Sequence, residues 1–344
     1  MARAAFSLLE RLVAIGGHDY VLRSAWRAAD LPAALRGIER IPVARPRFVI
    51  ADMIGQAILM PRLCRQRGID IIWNVDPFGA ARGGRARVTT VHDLFYRHPG
   101  LSSARSRLTT ALCYRMVLGG STHVVAISAA TGGDLAAAFP QARERLTVIP
   151  HDATLGEAGG QALPREIAGD YILLVGNGTA NKNFGVAVAA LSRLMAQGQA
   201  LTLVHVGEDE GGMLARAMAQ AHPAPSLVRL ARIDDARLAA LYAHAQCLVV
   251  PSLCEGFCLP IVEAQALGCP VIASNLSAMP DIAGEGALYF DPRQPADLAA
   301  RIAALTSDPA LRDAIIDRGR RNRARYSWER SAQAYDRLFT ALVP

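Results

Sequence analysis

Short apolar runs bounded by glycine, proline and charge recur along this chain, with helix-like segments between them. In the first half, runs near 20–22 and at 71–75, 87–91, 122–127 and 146–149 read as strands, and 8–15 and 56–66 as helices. A Gly- and Ala-rich stretch at 151–170 reads as a linker. The pattern then restarts with strands at 171–175, 201–206, 226–230, 247–250 and 271–273 and a helical run at 186–195. Strands that alternate with helical patterns predict parallel sheets with helices on their faces. Near the end, Ser327 is placed to cap a helix whose Trp328, Ala332, Tyr335, Phe339 and Leu342 fall on one apolar stripe.

Composition narrows the class. The chain has 344 residues, 51% hydrophobic and 19% charged, enough for two cores of about 150 residues each and too apolar for a disordered chain. No uncharged apolar run approaches the ~18 residues of a membrane-spanning helix. Residues 5–15 are interrupted by Glu10 and Arg11 and read as an amphipathic helix rather than a signal peptide. Six cysteines, at 64, 113, 247, 254, 258 and 269, form no CxxC pair, which points to buried reduced thiols in a cytoplasmic protein and away from zinc. The net charge of +7 suits anionic substrates, an acidic membrane face or nucleic acid. Its densest cluster, residues 318–325, reads either as a solvated helix face or as a peripheral contact with the inner membrane. No aromatic-interleaved basic motif supports nucleic-acid binding.

The chemistry concentrates in Glu255-Gly256-Phe257-Cys258-Leu259-Pro260-Ile261-Val262-Glu263. An apolar strand ends before it, a loop turns at Gly256, and a helix begins near Pro260, to be stopped by Gly268. One acid sits in the loop after the strand and the other in the first turns of the helix, with backbone N–H groups between them. That arrangement suits a phosphorylated ligand. Upstream, Gly176-Asn177-Gly178 lacks the third glycine of a dinucleotide fingerprint, since Asn181 stands in its place, so a nicotinamide cofactor is disfavoured. Asn181-Lys182-Asn183-Phe184 then opens a helix.

Taken together, residues 228–292 resemble the nucleotide-sugar domain of retaining glycosyltransferases of family 4, and of their mannosyltransferase-like members in particular. The resemblance rests on the Glu-x7-Glu spacing, on Leu-Tyr-Ala-His-Ala at 241–245 before it, and on Ser274-Asn275-Leu276-Ser277-Ala278-Met279-Pro280-Asp281 after it. Thr90-Val91-His92-Asp93-Leu94 and Ala126-Ile127-Ser128-Ala129-Ala130-Thr131 are similar to that family's segments in the first domain. The resemblance implies an α/β protein of GT-B type, two Rossmann-like doubly wound domains facing across a cleft. An acceptor-side domain would span 1–152, a nucleotide-sugar domain 153–325, and a helix crossing back 326–344. It implies catalytic roles for Glu255, His92 and Lys182. Donor contacts would come from Glu263, Gly256, Phe257, Cys258, Leu259, Ser128 and Gly176.

The implied reaction moves a hexosyl group, mannosyl by resemblance, from a nucleoside-diphosphate sugar (a GDP-mannose-like donor) to a glycan or lipid-linked acceptor in surface polysaccharide synthesis. Configuration is retained, and neither a metal nor a cofactor is required, since no Asp-x-Asp pair is present. Three features depart from the family. Cys258 replaces a usual glycine, and Asn181 a common arginine. The chain also opens with what reads as the first helix, so the preceding strand and glycine-rich loop are expected to be missing, a late start assignment being the favoured explanation. A non-catalytic GT-B scaffold subunit is the alternative from another class. A sugar-nucleotide epimerase or a phosphorylase is disfavoured by the Glu-x7-Glu context.

Overall fold

The computed structural model describes residues 2–43, 49–98, 100–155 and 165–343, so residues 156–164 of the expected linker lie outside the described residues. The chain divides into two compact units, Met1–Asp152 with Ser327–Pro344, and Ala153–Tyr326.

The first unit runs α1 (Ala2–Ile15), β1 (Val21–Ser24), β2 (Glu39–Pro42), α2 (Val49–Arg67), β3 (Ile71–Asn74), β4 (Ala86–Val91), α3 (Ala104–Gly120), β5 (His123–Ala126), α4 (Ala129–Ala138) and β6 (Leu146–Val148). Among the described residues its strands form two separate parallel sheets, β1-β2 and β3-β4-β5-β6. A cavity of about 920 Å³ lies between them, lined by residues 18–26 and 69–73 in unbroken succession. A cavity on one face of a strand would touch alternate residues, so this one runs along the strand edges. The buried centre of the unit lies around β4 and β5, where Val91, Val124, Ala126, Leu135 and Tyr114 pack together.

The second unit runs β7 (Tyr171–Val175), α5 (Phe184–Ala196), β8 (Thr202–Val206), α6 (Met213–Gln220), β9 (Leu227–Leu230), α7 (Asp235–His244), β10 (Cys247–Val250), α8 (Leu259–Ala266), β11 (Val271–Ser274), α9 (Met279–Ala283), β12 (Leu288–Phe290), α10 (Pro295–Ser307) and α11 (Pro309–Arg323). Its sheet is parallel throughout, in the order β12-β11-β10-β7-β8-β9. From β7 the chain winds outward in one direction to β9, then returns to β10 and winds outward in the other. This is the doubly wound arrangement, and its switch point lies between β7 and β10. Strands buried on both faces read as continuous apolar runs, which is why β7 and β10 coincide with the runs in the sequence.

The last helix, α12 (Trp328–Leu342), begins where the stripe predicts, with the Ser327 hydroxyl accepting from the Arg330 N–H at 3.2 Å. It packs in the first unit. Tyr335 shares a 2.7 Å hydrogen bond with the Thr90 hydroxyl and stacks 5.2 Å from Trp73, and Arg11 of α1 donates to Glu329 at 2.8 Å.

Candidate functional site

In an open parallel sheet the ligand crevice lies beyond the carboxyl ends of the strands at the switch point. Here those ends are Gly176, just after β7, and the loop 251–258 after β10. Lys182 and Glu255 meet there, with Nζ 2.6 Å from Oε1 and their side chains only 18% and 13% exposed. Ser252 donates to the same carboxylate oxygen at 2.7 Å. Ser277 holds the Glu255 backbone from both sides, accepting from its N–H at 3.2 Å and donating to its carbonyl at 2.8 Å. Gly176 has φ +124°, and a Cβ there would lie 3.2 Å from Lys182 Cε. The glycine therefore lets the lysine stem lie over the backbone at the strand end.

Asn181 ties the two loops together. Its amide donates to the Cys254 carbonyl at 3.1 Å, and its own carbonyl accepts from the Leu253 N–H at 2.7 Å. The loop carrying Glu255 is thereby fixed to the loop carrying Lys182.

Cys258 is the residue before α8 and adopts φ 70°, ψ 68°. That left-handed geometry costs a side-chain-bearing residue about 1–2 kcal/mol, and a glycine would adopt it freely. Burial, then the Glu255 carboxylate, pushes its thiol up to about 12, so it is neutral at physiological pH. Gly256 and Phe257 precede it, and Phe257 is buried with its ring edge-on to Tyr326 at 5.4 Å. Leu259 begins α8; Pro260 carries no N–H and the Ile261 N–H donates to the Cys258 carbonyl at 3.0 Å, so what this helix end offers an anion is chiefly the positive end of its dipole.

Glu263 lies one turn into α8 and is 4% exposed. Thr154 donates to one of its oxygens at 2.7 Å and Tyr242 to the other at 3.2 Å. Burial, then this carboxylate, holds the Tyr242 hydroxyl far above its usual range, so it stays a donor. Neither partner follows from the Glu-x7-Glu spacing, although Tyr242 stands in the Leu-Tyr-Ala-His-Ala segment. Thr154 carries no sequence signal.

The first unit holds the remaining candidates. His92 Nε2–H donates to the Val75 carbonyl at 2.8 Å, leaving Nδ1 as the acceptor nitrogen, and burial lowers its pKa. Its ring lies 5.4 Å from that of His151, which is fully buried, stacked on Trp328 at 5.3 Å, and held neutral by burial. Asp93 caps the turn after β4 by accepting from the Phe95 N–H at 3.1 Å. Ser128 is buried as the N-cap of α4, its oxygen accepting from the Thr131 N–H at 3.0 Å. Its hydroxyl thus has a structural duty.

Two family profiles match, "Glycosyltransferase Family 4" over residues 1–151 and "Glycosyl transferases group 1" over residues 165–322. The chain is 37% identical over 100 residues to the O-antigen chain mannosyltransferase B of Escherichia coli, covering 29% of this chain and 26% of that one. It is 28% identical over 212 residues to the MMP alpha-(1->4)-mannosyltransferase of Mycolicibacterium hassiacum, covering 60% and 51%. The chain thus spans from about a quarter to about half the length of these curated relatives. Among solved structures, the sucrose-phosphate synthase of Thermosynechococcus elongatus superposes with a TM-score of 0.77 at 21% identity, covering 97% of this chain and 92% of that one. At that identity the likeness is one of fold.

Proposed function

From the premise that this chain belongs to glycosyltransferase family 4 and has the GT-B fold, we propose that it transfers a hexosyl group from a nucleoside-diphosphate sugar to a glycan or lipid-linked acceptor. The observation that carries this reading is the largely buried Lys182–Glu255 pair at the switch point of the second sheet. A cation and the first turn of α8 converge there, as binding a diphosphate requires. On this reading the arriving diphosphate draws Lys182 from Glu255, and the freed carboxylate turns to the sugar. Glu263 accepts from the ribose hydroxyls beside Thr154 and Tyr242, since a carboxylate has about four acceptor sites. His92 offers a neutral imidazole to a sugar hydroxyl.

The C1–O bond to the diphosphate breaks as the acceptor oxygen bonds to C1 on the same face. The acceptor proton passes to the departing phosphate, so configuration is retained without a separate general base. Lys182 and the helix N-terminus stabilise the charge that grows on the leaving group. The charge stabilisation assigned to those two groups is the basis for reading the reaction as metal-independent. The mannosyltransferase names of two relatives favour a GDP-mannose-like donor, and surface polysaccharide synthesis in the cytoplasm, beside the inner membrane, completes the reading.

Thermal unfolding with GDP, UDP and ADP in turn tests it. Stabilisation of about 2.7 kcal/mol by one nucleotide at a hundred times its dissociation constant, abolished in Glu263→Gln, is the expected result. No stabilisation by any of the three would overturn the donor-site reading in favour of a non-catalytic scaffold.

A further inference from the structure

The large exposed apolar side chains are unevenly placed: all but Met195 and Met213 lie in the first unit. Five of them stand on two helices. On α2, Ile54, Ile58 and Leu59 are 51%, 58% and 59% exposed; on α3, Leu108 and Leu112 are 75% and 46% exposed. Helical spacing extends each group into arginine. Ile54 and Ile58 continue to Arg62 and Arg65, and Leu108 and Leu112 are bracketed by Arg105 and Arg115, all four arginines exposed.

The two stripes are neighbours. The helices pack through Met53 against Cys113 and Val117, and Ile54 and Leu112 each stand one residue from that packed pair. Both stripes therefore border the seam between the helices.

Charge identifies the occupant. The acid on these helices is Asp52 alone, and it accepts from Gln56 at 2.7 Å. Among the described residues no carboxylate pairs with Arg62, Arg65, Arg105 or Arg115. No helix among the described residues is long and apolar enough to cross a membrane. Exposed aliphatic side chains flanked by unpaired arginines, on helices that do not span, match a surface that lies on an anionic bilayer.

The basic cluster on α11 is less suited. Arg323 donates to the Tyr326 carbonyl, Arg320 pairs with Asp317, and no large apolar side chain is exposed on that helix. We propose that the α2–α3 face docks the protein on an anionic membrane surface, with the five aliphatic side chains entering the headgroup boundary and the arginines on lipid phosphates. This rests on its own observations, so its failure would leave the donor-site reading untouched.

Sedimentation of the full chain with vesicles of phosphatidylcholine alone, or with three parts in ten of phosphatidylglycerol, tests the proposal. Binding to the anionic vesicles is expected, at least ten-fold weaker to the neutral ones. The double variants Ile58→Glu/Leu112→Glu and Arg62→Glu/Arg115→Glu should each weaken it ten-fold or more, at about five-fold for each basic residue removed. Their thermal midpoints should stay unchanged, since all four side chains are exposed. Absence of binding, equal binding to neutral vesicles, or variants that bind as the parent does would overturn the proposal. So would a vesicle-free dimer that the same variants dissociate, because a second copy would then be the occupant.

Discussion

The two units use the same alternation of strand and helix to different effect. In the second, six parallel strands form one sheet, and β7, β8, β10 and β11 are buried almost throughout. In the first, β1 and β2 stand apart from the other four strands, are only partly buried, and border a cavity of about 920 Å³. A continuous sheet fixes the loops at its carboxyl ends, and Lys182 and Glu255 are accordingly held together there. A divided sheet leaves strand edges and apolar surface uncovered. The second unit thus presents a rigid frame at the carboxyl ends of its sheet, and the first leaves more of its surface uncovered.

Core truncation should expose that contrast most strongly. Ile172→Ala, at a fully buried position in the second core, should cost about 2–5 kcal/mol. Leu22→Ala, half-buried beside the cavity, should cost about 1 kcal/mol, because part of its surface already lacks packing partners. The units can be followed separately in urea, since Trp26, Trp73 and Trp328 all belong to the first. Tryptophan fluorescence reads that unit, and far-ultraviolet circular dichroism reads both. Equal costs at the two positions would erase the distinction.

Acid should separate the units by a smaller margin. Burial lowers the pKa of His92, His123 and His151 in the first unit, and of His205 in the second. Each takes up its proton near pH 6.5 when unfolded and at lower pH when folded. Their contribution is therefore complete above about pH 6.5 and is lost as pH falls below it. Between pH 7 and 5.5 the buried His151, whose pKa is lowered furthest of the four, should contribute the largest share of that loss. His151→Phe should reduce the acid sensitivity of the fluorescence-detected transition, and an unchanged pH slope would contradict this account.

What was legible in the sequence follows the same division. The runs at 171–175 and 247–250 gave β7 and β10 to the residue, because a strand buried on both faces must be apolar throughout. The strand β2, Glu-Arg-Ile-Pro, lies at the edge of a two-stranded sheet and carries no such run. Helix α3 carries no clear periodic signal either, for a physical reason. Cys113, Tyr114, Val117 and Leu118 are buried while Leu108 and Leu112 are exposed, so apolar residues on both sides erase the helical period. Motif context picked out Lys182 and Glu255, which the fold brings into contact. It did not disclose Thr154 beside Glu263, because contacts across 109 residues leave no mark in local spacing.

The central claim is that Lys182 serves a diphosphate and that Glu255 holds it in readiness. Calorimetric titration of the stabilising nucleoside diphosphate into the parent chain, Lys182→Ala and Glu255→Gln tests it directly. The account predicts about 10- to 100-fold weaker binding for Lys182→Ala, the loss of a charge-assisted contact, and binding at least as tight as the parent's for Glu255→Gln. Unchanged affinity in Lys182→Ala, or affinity lost in Glu255→Gln, would contradict it.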